Sequence, residues 1–192
     1  MVDPGIYTVR LTKKKKVYES KIELQPNRLA RHSPEDQKVR QKALWKTYGL
    51  LEHMAYISDT LSEIKTKIEE ILKKEDKKLP RKVKKSLEKQ AEAAEAIWSE
   101  MIDPSGNIYG SGELQGKMIE IFSTINGYLG RPTDSQLTYI DTLEKSLNKV
   151  EEKFAKFVKD NLVKVNRLLK GRQLKEIKIL SEEEYTKKAK KE

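Results

Sequence analysis

Eight cations within one short stretch have the most evident binding potential in this sequence. They are Lys73, Lys74, Lys77, Lys78, Arg81, Lys82, Lys84 and Lys85. Such clusters bind nucleic acids and anionic surfaces through phosphate contacts. No aromatic residue lies between these cations, so the stretch lacks rings that stack on bases, and nucleic acid is the less favoured partner. Because lysines near the end of a helix also suit its dipole, polyanion binding and a solvated helix end remain alternatives.

Of the usual sources of catalysis and metal binding, the histidines and carboxylates occur here in unsuitable patterns and cysteine is absent. The two histidines, His32 and His53, have no carboxylate three residues before them, which excludes the Glu-x-x-His pair of di-iron bundles. Adjacent glutamates such as Glu69 and Glu70 diverge on a helix and cannot form an acid–base pair. The chain has no cysteine, which excludes disulfides, thiolate metal sites and cysteine nucleophiles. The sequence therefore predicts no catalytic residue and no metal ligand.

One glycine-rich stretch, residues 110–117, has a superficial likeness to a phosphate-binding loop. Its glycine spacing is wrong, and Met118 stands where a Ser or Thr must hold magnesium. The turn-forming composition of residues 103–112 predicts a flexible loop that leads into a helix. We therefore expect no nucleotide or other cofactor, and we expect that the chain is not an enzyme.

Aromatic side chains are a further candidate for ligand binding. The five that could line a groove are Trp45, Tyr48, Tyr56, Trp98 and Tyr109. In helical bundles Trp and Tyr more commonly pack in the core and at its rim. We therefore expect these residues to be structural.

The basic stretch lies at the end of a long predicted helix. Ser33-Pro34-Glu35-Asp36 provides an N-cap, a proline at the first helical position and acidic residues in the first turn. A stripe with alternating four- and three-residue steps then follows. It contains Ala43, Thr47, Leu50, Met54, Ile57, Leu61, Ile64, Ile68 and Ile71. The spacing predicts a helix over 34–76 whose narrow apolar stripe is covered by other helices.

Three more helices are predicted to cover that stripe. The second follows the break at Leu79-Pro80 and ends near Ile102, and the third spans 113–129. The fourth runs from the capping box at Thr133 to Gly171, with Val165 and Leu168 in the core and a blurred register after Phe157. The lengths favour three rods with the middle rod broken at 103–112, over an up-down-up-down four-helix bundle. Any exposed remainder of the stripe could pair two copies into a homodimer.

The residues before the first helix alternate between apolar and polar types. Tyr7, Val9 and Leu11 precede a lysine turn at Lys13–Lys16, and Ile22 and Leu24 follow it. This pattern predicts a β-hairpin. Because a lone hairpin is marginal in water, it either packs on the helices or is the remnant of a β-sandwich, and we favour the second.

The predicted fold class is mainly α: an antiparallel three- or four-helix bundle with long first and last helices and an N-terminal hairpin. The predicted domains are the hairpin over 1–26, the bundle over 27–171, and a basic, partly disordered tail over 172–192. Within the tail, a short strand over Glu176–Leu180 and a frayed segment over Glu182–Glu192 are expected. With 36% hydrophobic and 36% charged residues, no apolar run approaches the roughly 18 residues that a membrane span needs. The net charge of +10 comes from cations and anions mixed along the helices.

The order of these pieces resembles one family. Pro4-Gly5-Ile6-Tyr7-Thr8-Val9-Arg10-Leu11 looks like a "PGxYxVRL" strand that ends a β-sandwich module, and a connector with Pro26 follows. A long helix then starts at Ser33, and Gly130-Arg131-Pro132-Thr133 opens the last helix. This order is similar to the C-terminal region of large bacterial proteins of the glycosyl hydrolase type, with bacterial-neuraminidase or sortilin-like β-propeller repeats. The resemblance extends from Pro4 to about Leu169.

The resemblance implies a module without catalytic residues, because that family's machinery is attributed to the propeller. The propeller's Ser-x-Asp-x-Gly-x-x-Trp repeats have no counterpart here. It implies N-terminal β-sandwich and β-propeller domains of the same protein as partners, and export to the periplasm, cell surface or medium. If the resemblance does not hold, we expect the chain in the cytoplasm, because a chain without cysteine suits the cytoplasm as well as the periplasm. The first hypothesis is thus a structural or interaction module, and the alternative is a polyanion-binding bundle that uses the basic tip Lys73–Lys85.

Overall fold

The structure is a computed structural model that describes residues 5–25, 32–105 and 113–189. Its elements are β1 (Gly5–Lys13), β2 (Lys16–Leu24), α1 (Pro34–Lys74), α2 (Arg81–Trp98), α3 (Leu114–Gly127), α4 (Asp134–Lys156), a π-helical segment (Phe157–Leu162), α5 (Val163–Lys170) and α6 (Glu182–Ala189). This mainly helical chain with an N-terminal hairpin confirms the predicted fold class. Residues 26–31 of the connector predicted over Gln25–His32, and the loop residues 106–112, lie outside the described residues. No described helix has both the length and the apolar content needed to cross a bilayer.

Helix α1 begins and is buried as its sequence predicts. The Asp36 backbone N–H donates to Ser33 Oγ at 3.1 Å, and the Ser33 N–H donates to the Asp36 carboxylate at 3.2 Å. The hydrogen bond from Ser33 lowers the pKa of Asp36 below its usual value. The centre of the stripe is fully buried. Its fully buried members are Met54, Ile57, Leu61, Ile64 and Ile68.

Helices α2 and α3 together form the broken middle rod of the favoured topology. α2 runs antiparallel to α1, and Lys65 Nζ lies 2.7 Å from a Glu95 carboxylate oxygen. The Gln115 N–H donates to the Met101 carbonyl at 2.9 Å, which joins the two halves across the intervening loop. The C-terminal end of α3 then reaches the start of α1.

A buried arginine closes that end of the bundle. The Arg40 side chain is only 2% exposed. Its Nε–H donates to the carbonyls of Ile125 at 3.0 Å and Tyr128 at 2.6 Å, and Nη2 donates to the Asn126 carbonyl at 2.8 Å. These carbonyls belong to the C-terminus of α3, where backbone acceptors lack intrahelical partners and the helix dipole favours a cation. Arg40 is thus a side-chain cap supplied by another helix.

The last rod contains a π-helical turn that shifts its buried face by one residue. Phe157 and Leu162 are both buried, five residues apart, and Val165 and Leu169 follow in the core. The prediction that Leu168 faces the core is wrong, since Leu168 is only partly buried. A π turn inserts one residue into the helix, and this insertion explains the blurred register after Phe157.

The segment after α5 folds back along α1. The Ile177 N–H donates to Asn166 Oδ1 at 2.8 Å, and Asn166 Nδ2 donates to the Ile177 carbonyl at 2.9 Å. Further along, the Tyr185 hydroxyl donates to the Asp59 carboxylate at 2.6 Å. The strand expected at Glu176–Leu180 does not form, because this backbone is bound by side chains rather than by another strand. Helix α6 occupies residues 182–189, where a frayed segment was expected.

Candidate interaction surfaces: a basic end and an exposed hairpin

The eight predicted cations lie together at one end of the bundle, around the turn between α1 and α2. All are exposed except Lys84, which is partly buried. Three of them form ion pairs: Lys74 with Glu70 at 3.0 Å, Lys78 with Glu75 at 3.0 Å, and Lys84 with Asp76. Exposed pairs of this kind contribute little to stability.

The fold adds a second group of cations to this end, which sequence reasoning missed. Asn161 Nδ2 donates to Gln90 Oε1 at 2.7 Å, which places Asn161 of the last rod and Gln90 of α2 at the same level along the bundle axis. Arg81 lies nine residues before Gln90, and Lys170 lies nine residues after Asn161. At about 1.5 Å per residue the two cations therefore reach the same level. Lys175 of the returning tail lines a groove together with Lys74.

We define the basic end as residues 70–89 and 162–178, which lie around and beyond the Gln90–Asn161 hydrogen bond. These segments contain fifteen Lys and Arg but five Asp and Glu. Their net charge is +10, while hairpin residues 5–25, with six Lys and Arg and two Glu, have a net charge of +4 and the rest of the chain has a net charge of −4. The fold thus brings two basic segments that are distant in sequence to the same end of the bundle.

Helix-dipole stabilisation explains only part of the basic end. Lys73 and Lys74 lie in the last turn of α1, where cations are favoured. Arg81 and Lys82 instead begin α2, at the end of the helix that favours anions. The first turn of α2 contains no acidic residue, and its N-cap, Pro80, makes no side-chain hydrogen bond. The α2 cations therefore do not serve to stabilise their own helix.

The hairpin is the second candidate surface. Its antiparallel register pairs Tyr7 with Ile22 and Leu11 with Tyr18, which places their side chains on one face together with Val9 and Leu24. Leu11 is 61% exposed and Tyr18 is 53% exposed. Within the described residues, neither strand packs against a helix. The two strands thus form a separate sheet that leaves Leu11 and Tyr18 exposed.

The lysine turn of this hairpin has one strained residue. Lys14 adopts a φ of 56°, in the left-handed region that favours glycine. Two-residue hairpin loops of this kind usually have glycine at that position.

Two of the predicted aromatic residues lie at the surface. Trp45 is 58% exposed, and its ring packs edge-to-face on Tyr48 at a centroid distance of 5.7 Å. They line a shallow cavity of about 350 Å³ between α1 and α3, with Leu44 and Phe122. Tyr56 instead packs on Phe154 and Tyr185, Trp98 packs partly buried against the core, and Tyr109 lies outside the described residues.

The histidines and the glycine-rich stretch have structural surroundings. His53 Nδ1 lies 2.8 Å from the Glu182 carboxylate, and Nε2 lies 3.5 Å from Glu151, so His53 joins α1 to α4 and α6. His32 packs edge-to-face on Tyr128. Glu113 precedes α3 as its N-cap, and residues 110–112 lie outside the described residues.

Comparison with protein-family models, characterised proteins and solved structures finds no match.

Proposed function

We propose that this chain is a non-catalytic structural and interaction module of a larger exported protein with glycosyl hydrolase-like β-propeller repeats. The observation that supports this most directly is the hairpin, whose strands contact no helix among the described residues and whose Leu11, Tyr18 and Ile22 side chains are exposed. An isolated two-stranded sheet is marginal in water, so a further β-sheet layer is needed to stabilise it. The partners are the N-terminal β-sandwich and β-propeller domains of the same polypeptide.

The mechanism is rigid presentation. Helix α1 has 41 residues and is about 60 Å long at 1.5 Å per residue. Most of its apolar stripe is buried by the other two rods, and Leu50 and Ile71 are partly buried. Such a rod holds whatever binds at its two ends at a fixed separation.

Substitution of the apolar hairpin face tests this proposal. We expect the triple variant Leu11→Ser, Tyr18→Ser and Ile22→Ser to leave the free energy of unfolding of the bundle unchanged in the 192-residue chain. The same variant is expected to destabilise the longer protein by several kcal/mol, because those side chains are then buried against the added sheet. A start codon at Met1 with no upstream domain would contradict the proposal, as would a loss of bundle stability in the 192-residue chain.

A second candidate function, polyanion binding, is favoured by the excess of ten positive charges at the basic end. The expected result is retention on immobilised heparin near physiological salt. Retention should be lost when Lys77, Lys78, Arg81 and Lys82 are replaced by Glu. A fourfold charge reversal outside the basic end, at Lys38, Lys42, Lys145 and Lys149, is the matched control. Equal losses in both variants would show that only net charge matters and would refute a localised site.

A further inference from the structure

We infer that the basic end binds an anionic phospholipid surface, with the long axis of the bundle standing end-on to it. This inference rests on the second candidate function and specifies its polyanion.

The composition of the basic end suits a lipid surface better than a nucleic acid. Of its fifteen cations, twelve are lysines and three are arginines. Lysine is a hydrated point charge that needs no particular acceptor geometry, whereas arginine provides the planar fork that reads phosphates and bases. No aromatic residue occurs in residues 70–89 or 162–178, so there is no ring for base stacking.

The shape of the basic end suits a surface as well. Its cations surround two chain reversals, the α1–α2 turn at residues 75–80 and the turn after α5 at 171–173. Both turns lie at the same end of the rods, where a flat array of headgroups contacts several lysines at once. Leu79, the apolar residue of the first turn, is buried at 6% exposure. Binding is therefore electrostatic, without an inserted apolar side chain, and reversible by salt.

End-on binding places the two ends of the rod at different distances from the lipid. The start of α1, which follows the hairpin in sequence, is then about 60 Å from the surface. The rod would thus hold a β-domain joined to the hairpin away from the membrane.

Vesicle binding tests the choice of lipid. The 192-residue chain is incubated with vesicles of phosphatidylcholine alone or mixed with phosphatidylglycerol, and the bound fraction is measured by sedimentation. We expect binding only to the anionic vesicles and its loss at high salt. The variant Lys77→Glu, Arg81→Glu and Lys82→Glu should bind at least a hundredfold more weakly, at about fivefold for each lost cation. The control variant Lys38→Glu, Lys42→Glu and Lys149→Glu, with the same net charge, should keep most of the affinity.

Fluorescence tests the orientation. Because the chain contains no cysteine, a single label is introduced by Glu88→Cys at the basic end or by Glu35→Cys at the opposite end; both positions are exposed. Energy transfer to a rhodamine lipid should be strong from position 88 and weak from position 35. Equal transfer from both positions would overturn the end-on arrangement.

Heparin retention distinguishes a failure of the lipid assignment from a failure of the polyanion-binding function on which it rests. Heparin retention that depends on the basic end, without binding to anionic vesicles, overturns the lipid assignment and leaves polyanion binding in place. Tighter binding to duplex or single-stranded nucleic acid than to vesicles at the same salt does the same. Absence of binding to heparin, nucleic acid and vesicles overturns both.

Discussion

Replacement of Arg40 by methionine is expected to weaken the bundle strongly. The Arg40 guanidinium donates to the carbonyls of Ile125, Asn126 and Tyr128 at the end of α3. Methionine fills part of the volume but donates no hydrogen bond. Three carbonyls therefore lose a charged donor, and that of Ile125, whose bond to Arg40 is buried, has the least access to water.

The magnitude follows from the burial of these bonds. A hydrogen bond to a charged group contributes about 1.5–3 kcal/mol, and an orphaned buried acceptor costs about 1–3 kcal/mol. The bonds to Asn126 and Tyr128 are only partly buried, so water replaces some of the lost interaction there. We therefore expect Arg40→Met to lower the free energy of unfolding by about 3 kcal/mol.

Urea unfolding followed by circular dichroism at 222 nm measures this loss, provided that the m-value stays constant. Arg40→Lys keeps the positive charge but loses the planar set of N–H donors, so its free energy of unfolding should lie between those of the wild type and Arg40→Met. Lys42→Met, at an exposed position of the same helix, is the control and should change stability by less than about 0.5 kcal/mol. A loss below about 1 kcal/mol for Arg40→Met would refute the role of Arg40 as the cap of α3.

Three further predictions concern the segment after α5. Gln173 has a φ of 59°, so Gln173→Gly should raise the free energy of unfolding by about 1 kcal/mol in urea titrations, and a decrease would contradict strain there. Asn166→Ala removes both hydrogen bonds to Ile177 and should accelerate hydrogen exchange of the Ile177 amide. Unchanged exchange would argue that these two hydrogen bonds do not hold the tail on α5. The hydrogen bond to Asp59 raises the pKa of Tyr185 to about 12. Because the folded-state pKa is raised, this contact stabilises the tail fully below about pH 10 and is lost as the pH rises through 12. In absorbance titrations at 295 nm, Tyr185→Phe should remove one late-ionising tyrosine, and a wild type without such a step would refute the contact.

Local sequence patterns predicted the helices well because they depend on neighbours three or four residues apart. The Ser33 N-cap and the Thr133 capping box form as the sequence predicts. The stripe of α1 is buried because its 4-3 spacing leaves one face for the other rods. The π turn was not predicted, because a helix accepts an inserted residue only where tertiary packing on both sides compensates for it.

The end of α5 shows how a local rule can fail. Gly171 suggested a glycine C-cap, yet its φ is −62°. The left-handed residue is Gln173 instead. The turn is displaced because Leu174 must reach the groove beside Ile71, where the tail packs on α1.

The candidate surfaces were only partly accessible from sequence. The run Lys73–Lys85 was visible because its cations are close in the chain. The contribution of residues 162–178 was not visible, since those cations are separated by apolar core positions and look like an ordinary solvated helix face.

The sequence by itself determined the hairpin, the lengths of the rods and the stripe that they bury, because backbone geometry and side-chain periodicity act over a few residues. Only the tertiary structure decided that Arg40 caps a helix 85 residues away and that the cations of residues 162–178 lie at the same end of the bundle as those of residues 70–89. The physical reason is the antiparallel packing of the rods, which brings distant segments to the same height according to which apolar faces interlock.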